Sequence, residues 1–448
     1  MVLIDAAGNL FTPAGRLQMR AMDGAGRTPS NVRAMIKRRK VIIGTMGAAA
    51  AAAAAGCSSR GSTAGAGSTT WVEPVANVEQ PAAATATPVS VIVTPETGAT
   101  EVSPLKPIVV TVQDGTLKSV KVTAAKAKVD GEMQSDGSWK STSDLAYGKK
   151  YKVTAEAADG LGVTTTKEFT FTTLKPEAVA KVTFQANAMV ALQEGKTYGV
   201  GQPVIVAFSR AVNKAAAEKA IEITTSPSVE GKFYWKDDRT VHWRPAKYWA
   251  AGTRIKVSVN AFGQKLGKKT YGSKNVSTSF KIGRELIAIS DNRTHMTKVY
   301  IDGKLVRTMK SSLGKGGGTT GANGQKVSYW TAGGPHVVLG KKRKHTMSSA
   351  SYGVTDKNDP NYYVSENIEF CTRISYSGEY LHAAPWNGSL GRANLSHGCI
   401  NLSTADAKWV YNNFILGDIV DVKNTPRELP IWNGLGDWTV SFDRYGRD

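Results

Sequence analysis

From Val89 onward, apolar and polar residues alternate in short runs: VSVIV at 89–93, PIVVTV at 107–112, VKVTA at 120–124, YKVTAEA at 151–157 and EFTFTT at 168–173. A period of two puts apolar side chains on one face of a strand and polar ones on the other. Each run is bounded by Gly, Pro or Asp, and none has helical spacing. Short strands separated by turn residues predict an antiparallel β-sandwich.

The pattern then recurs. Trp139, Gly148 and Val153 match Trp243, Gly252 and Val257 at a constant offset of 104 residues, and Lys152 and Lys256 keep the same register. The closing strands around Phe169 and Phe280 match after a short insertion near 265–271. Two immunoglobulin-like domains are expected, over 88–175 and 176–283. The Cys…Trp…Cys spacing of immunoglobulins is absent, so this likeness is architectural. No exposed aromatic cluster marks them as binding modules, and they read as spacers.

Residues 284–424 are again strand-rich, with ELIAIS at 285–290, KVYIDGKLVRTM at 298–309, and the Gly-rich connections GKGGG and TAGG. Ala405, Ala407, Val410 and Phe414 are spaced for one amphipathic helix over 403–414, and Asp406 in its first turns suits the dipole. The tail, 425–448, carries Pro430-Ile431-Trp432 and Gly436-Asp437-Trp438 and is expected to pack on this last domain. The fold class is mainly β throughout.

The N-terminus breaks this pattern. Lys37-Arg38-Arg39-Lys40 is followed by an uncharged small and apolar run from Val41 to Ala55, then Gly56-Cys57. A basic segment, an apolar segment of about 15 residues and a small-residue end have the layout of an export signal. Ala54-Ala55-Gly56-Cys57 resembles a bacterial lipobox, which implies lipidation of Cys57 and a membrane anchor on the extracytoplasmic face. Arg38-Arg39 hints at twin-arginine export, and Met35 is a candidate start. Residues 1–57 therefore read as extension plus signal. Ser58 to Thr87, rich in Ser, Thr, Gly, Ala and Pro, reads as a flexible linker.

Composition sharpens the setting. The 448 residues hold 57 Lys+Arg against 36 Asp+Glu, a net +21. Residues 1–57 carry eight basic and two acidic side chains, leaving +15 for the remainder. Such an excess fits an anionic partner, and outside the membrane that partner is the cell wall. Nucleic acid is disfavoured, since no recognised binding module occurs. The cluster from Lys341 to His345 reads as a solvated loop able to hold anionic polymer. Six scattered histidines without HExxH or paired CxxC argue against a metal site, and no cofactor is expected.

Three cysteines cannot staple a fold this size. Cys399, in Ser396-His397-Gly398-Cys399-Ile400-Asn401, stands near histidines and downstream of Tyr380-Leu381-His382-Ala383-Ala384-Pro385-Trp386. A thiol with imidazoles at hand is the apparatus of nucleophilic acyl transfer, and a cationic histidine nearby is expected to raise the thiolate fraction. Gly398 allows close backbone approach, so the Cys399 amide can face an oxyanion. Cys371 has a bland reading as a buried thiol, and a sharper one as a disulfide partner that switches Cys399 off.

His382-x16-Cys399 with SHGCIN around the cysteine resembles the active site of the L,D-transpeptidase (YkuD) family, across roughly 284–448. Tandem immunoglobulin-like domains behind a lipobox resemble its actinobacterial lipoproteins. The resemblance implies a β-rich catalytic domain that cross-links peptidoglycan through a cysteine acyl-enzyme. A tetrapeptide stem loses D-Ala, and the acyl group passes to a neighbouring stem's amine as a 3→3 link. It assigns Cys399 as nucleophile and His382 as general base, with His397, Gly398 and Asn401 shaping the cysteine loop. Tyr376, Ser377 and Trp386 become pocket walls, Tyr352 part of a mobile lid, and Tyr362 or Tyr363 the oxyanion tyrosine. Ala383 replaces a common serine, which is tolerable if only a backbone carbonyl orients the base. The implied partners are donor and acceptor stem peptides, with carbapenem-type β-lactams as inhibitors. Two rivals remain: an L,D-carboxypeptidase using the same site, and a non-catalytic wall-binding lipoprotein.

Overall fold

The computed structural model describes residues 87–125, 127–322 and 324–447, together with a separate antiparallel pairing of Leu3–Ile4 with Leu10–Phe11. Cys57, its basic cluster and the linker over 58–86 lie outside the described residues.

Alternation produces sheets as expected. The first sandwich faces a sheet ordered 90–94, 109–113, 139–141, 131–133 against one ordered 164–172, 150–158, 116–124, 127–129. The second faces a five-stranded sheet (190–191, 182–187, 204–208, 240–245, 231–235) against a four-stranded one (197–198, 276–282, 254–259, 221–226). Residues matched by the repeat share environments. Trp139 and Trp243 are both buried, each indole lying over a glycine, Gly131 or Gly231, where a Cβ would overlap the ring. Val153 and Val257 are both fully buried.

The third body is one nine-stranded sheet, ordered 334–337, 419–423, 286–291, 296–301, 304–312, 400–402, 380–383, 364–373, 340–348. Its first and last strands are joined by only two residues, so the sheet curls round on itself. Leu286, Val299, Met309, Leu381, Ile400 and Leu402 fill the inside.

The helix runs Thr404–Asn413, its N-terminus capped by Ser403 accepting from the Asp406 amide. Ala407, Val410 and Phe414 are buried against the sheet, whereas Ala405 is exposed, one position off the buried face. The basic cluster at 341–345 is a strand and not a loop. The Lys341 ammonium donates to the carbonyls of Tyr411 and Phe414 at 2.7 Å each. A cation there compensates the helix's negative end. Arg343 lies on the Phe370 ring and pairs with Glu369.

The second sandwich and the catalytic-type sheet share one apolar core that includes Val337, Leu339 and Ile419. The amides of Gly199 and Gly201 donate to the carbonyls of Leu416 and Gly417 at 2.8 Å each. The backbones meet so closely that a Cβ on Gly199 would lie 2.1 Å from the Asp418 nitrogen. Only glycine fits there. The tail packs on the second sandwich as well as on the curled sheet. Asp437, almost fully buried, accepts from Nδ1–H of His242 at 2.9 Å and from the Tyr445 hydroxyl at 2.6 Å.

Candidate active site

Strands Tyr380–Ala383 and Ile400–Leu402 pair in parallel, with Leu381 opposite Ile400 and His382 opposite Asn401. A parallel pair needs a crossover, supplied here by the chain between Ala383 and Ile400. The crossover returns the SHGC loop to the start of the strand that carries His382. Tyr380 and His382 lie on one face of their strand, and Cys399 directly precedes the strand paired with it.

The Cys399 thiol sits against the 378–380 backbone. It donates toward the Gly378 carbonyl at 3.7 Å, and the Tyr380 amide points at the sulfur. Gly398 adopts φ +127°, a conformation that side chains rarely take. The loop's polar groups are stitched down. The Gly398 amide donates to Ser396 Oγ at 3.1 Å, Ser396 Oγ–H donates to the Cys399 carbonyl at 2.6 Å, and Thr331 Oγ1–H donates to the Gly398 carbonyl at 2.9 Å.

His382 is 4% exposed, with Nδ1 2.8 Å from the Ala383 carbonyl. A carbonyl only accepts, so Nδ1 carries the hydrogen and Nε2 keeps its lone pair. The side chain of residue 383 takes no part, so alanine suffices there. Trp386, largely exposed, stacks on the imidazole with ring centroids 6.3 Å apart. The side-chain oxygen of buried Asn401 has no hydrogen-bond partner.

Burial pushes the Cys399 thiol up to about 12 and the His382 imidazole down to about 4. Desolvation disfavours both charged forms. The expected cationic histidine beside a thiolate is therefore not the resting state, which is a neutral thiol with a neutral imidazole. His397 does not supply the cation either. Burial and the adjacent Lys315 ammonium, 3.1 Å from Nε2, lower it to about 4.

His397 belongs to an aromatic stack. Tyr363 lies parallel to it at 4.9 Å, Tyr329 edge-on at 4.7 Å, and Tyr352 contacts both tyrosines at 6.4 Å. The segment 349–363 is closed at its base by buried Ser349, whose Oγ donates to the Val354 carbonyl and accepts from the Tyr363 amide. Between these ends, residues 355–358 are exposed. Of the two tyrosines left open by sequence, Tyr363 faces the site and is coupled electrostatically to Cys399. The Tyr362 amide bonds instead to the Asp359 carbonyl.

Two expected pocket walls serve other contacts. The Tyr376 hydroxyl accepts from the Ala188 amide of the second sandwich at 2.9 Å, and Lys236 rests over its ring. Ser377 is held by Asn433 of the tail through both its amide and its hydroxyl. Cys371 is fully buried, its thiol raised to about 12 by burial and directed at the Ile368 carbonyl. Thr331, Lys315, Tyr329 and Glu379 were not legible as site residues. Thr331 and Lys315 sit in Gly-rich connections whose polar residues look solvated, and Glu379 adjoins a turn glycine. Among the described residues, no cluster of three or more metal-ligating side chains occurs.

Residues 284–422 match the L,D-transpeptidase catalytic domain, and residues 99–265, spanning both sandwiches, match a bacterial Ig domain. The chain is 40% identical to Mycobacterium tuberculosis L,D-transpeptidase 2 over 354 residues, covering 78% of this chain and 82% of the relative. It belongs to the L,D-transpeptidase family.

A second relative, L,D-transpeptidase 5 of Mycobacterium tuberculosis, is 31% identical over 78% of this chain and 75% of its own length. A solved structure of Mycobacterium tuberculosis L,D-transpeptidase 3 in complex with a faropenem-derived adduct is 32% identical. It covers 53% of this chain and 98% of that one, with a TM-score of 0.42. As an L,D-transpeptidase, the chain is built from Ig-type sandwiches followed by a YkuD catalytic domain.

Proposed function

We propose that this protein cross-links peptidoglycan through a Cys399 acyl-enzyme, taking a tetrapeptide stem as donor and releasing D-Ala. The observation that carries this reading is the thiol held against the Gly378–Tyr380 backbone, at the start of the strand that bears His382, whose Nε2 is unprotonated.

Because thiol and imidazole start neutral, the proton moves during attack. Sγ bonds to the carbonyl of the diaminopimelate–D-Ala amide while His382 Nε2 takes the thiol proton. The Cys399 amide, beside Gly398, and the Tyr363 hydroxyl serve the developing oxyanion. When the C–N bond breaks, His382 returns its proton to the departing D-Ala amine, leaving a thioester. A side-chain amine of a second stem then attacks. His382 takes a proton from it, the C–S bond breaks, and the sulfur recovers the proton. Asn401 shapes the cysteine loop, and Trp386 walls the base.

A strained β-lactam carbonyl reacts with the same thiol. Incubation with a carbapenem is expected to add one β-lactam mass to the intact protein, on the Cys399 peptide, and none to Cys399→Ser. An adduct mapped to Cys371, or none at all, contradicts the assignment.

The excess positive charge and the lipobox-like Ala54–Cys57 support a further part of the proposal, that the enzyme lies outside the membrane, anchored through lipidated Cys57 and facing the wall. Cys57→Ala is expected to release the protein from membranes or leave an uncleaved precursor. Unchanged mass and detergent partitioning of this variant would remove the anchor from the account.

A further inference from the structure

The two backbone groups that touch the Cys399 sulfur, the Gly378 carbonyl and the Tyr380 amide, flank Glu379. That residue is 4% exposed, a rare place for a carboxylate without partners. Its Oε1 accepts from the Ala332 amide at 2.9 Å and from Arg427 Nη1 at 3.3 Å. Its Oε2 lies 3.6 Å from Nε2 of fully buried His336. Its main chain is fixed too, the amide donating to Ser375 Oγ and the carbonyl accepting from the Ile374 amide, at 2.9 Å each.

These contacts link both walls of the thiol's pocket. Ala332 grips Glu379, and its neighbour Thr331 grips the Gly398 carbonyl on the other side of the sulfur. Arg427 adds the tail to the same bracket. Gly398 is close enough that a Cβ there would lie 3.8 Å from Glu379 Cγ. We propose that Glu379 is a positioning residue: its buried carboxylate, pinned by Ala332 and Arg427 and facing His336, fixes the backbone that cradles Cys399 Sγ.

The charged and titratable groups around the carboxylate are His336, Arg427 and Cys399, with Arg373 also acting on the thiol. Burial pushes the Glu379 carboxyl up, but His336, Arg427 and the Ala332 amide together hold it below its ordinary value. It stays ionised, and its charge raises the thiol. His336 Nδ1 is 3.0 Å from the Gly334 carbonyl and so carries a hydrogen, leaving Nε2 to face Oε2 at 3.6 Å. Glu379→Gln suits this site without charge. Its oxygen keeps Ala332 and Arg427, and its NH₂ faces His336 Nε2.

The inference rests on Cys399 being the nucleophile, and the test reads the thiol separately from turnover. In the full chain, alkylation of Cys399 by iodoacetamide is followed by peptide mass spectrometry from pH 6 to 10.5, alongside acylation by a carbapenem. Glu379→Gln is expected to displace the alkylation curve to lower pH while keeping acylation within about threefold of wild type. Glu379→Ala, which loses the bracket, is expected to slow acylation at least about tenfold with the fold intact by circular dichroism. A Glu379→Gln curve superimposed on wild type, with Glu379→Ala acylated at the wild-type rate, overturns the proposal. Displaced alkylation in a protein whose wild type transfers no acyl group leaves Glu379's role standing and removes the transpeptidase reading instead.

Discussion

Cys399→Ser and His382→Ala are each expected to lower acyl transfer at least about 10³-fold, with thermal unfolding unchanged. The magnitude follows from the neutral resting pair. Burial raises the thiol to about 12, so at neutral pH only a trace is thiolate without help, and His382 supplies that help. Serine keeps the shape but offers a far less acidic hydroxyl in the same desolvated place. Removing the imidazole strands the thiol's proton. The double variant should cost little more than either single one, since the two act as a unit. Cys371→Ala, by contrast, is expected to stay active. Its thiol packs near Cys399 in the cluster with Ile368 and Tyr380, but both cysteines are free and the Cys371 thiol is directed at the Ile368 carbonyl. Finding Cys371 essential and Cys399 dispensable would invert the assignment. Steady-state rates on a tetrapeptide donor decide between them.

Replacing 355–363 with a short Gly-Ser loop is expected to shift the product from cross-linked dimer to tripeptide, by about tenfold or more in the ratio. Water at about 55 M competes with the acceptor amine for the thioester, so transfer dominates only where water is excluded and the amine oriented. Tyr363 closes the site by stacking on His397, and Ser349 clasps the base of the segment. The substitution removes Tyr363, and with it both the cover and a hydroxyl facing the reacting carbon. Donor consumption should fall less than dimer yield, because the thiol, His382 and the Thr331 bracket remain. Equal ratios in the two proteins would show that the segment does not govern water access.

Much of this was readable from sequence because its causes are local. Alternation produced the strands, and the repeat of Trp139 and Trp243 reported two similar cores. His382 and Cys399 were legible as candidates because a short segment carries both a thiol and an imidazole. What was hidden depends on distant contacts. Glu379 looks like a surface residue beside a turn glycine until Ala332, His336 and Arg427 close around it. Lys341 looks solvated until the helix end arrives above it. Tyr376 reads as a pocket wall from its motif, yet its hydroxyl is taken by Ala188, a residue 188 positions earlier. The resting charge state misled for a similar reason. Nearby histidines imply a cation, but desolvation leaves them neutral.

The measurement that bears most directly on the central claim is the product mass spectrum after incubating the protein with a purified disaccharide-tetrapeptide. The account predicts a covalent dimer that has lost one D-Ala, linked 3→3 on fragmentation, absent with Cys399→Ser. Tripeptide and free D-Ala alone at high stem concentration, with no dimer, would contradict it and make the enzyme a carboxypeptidase.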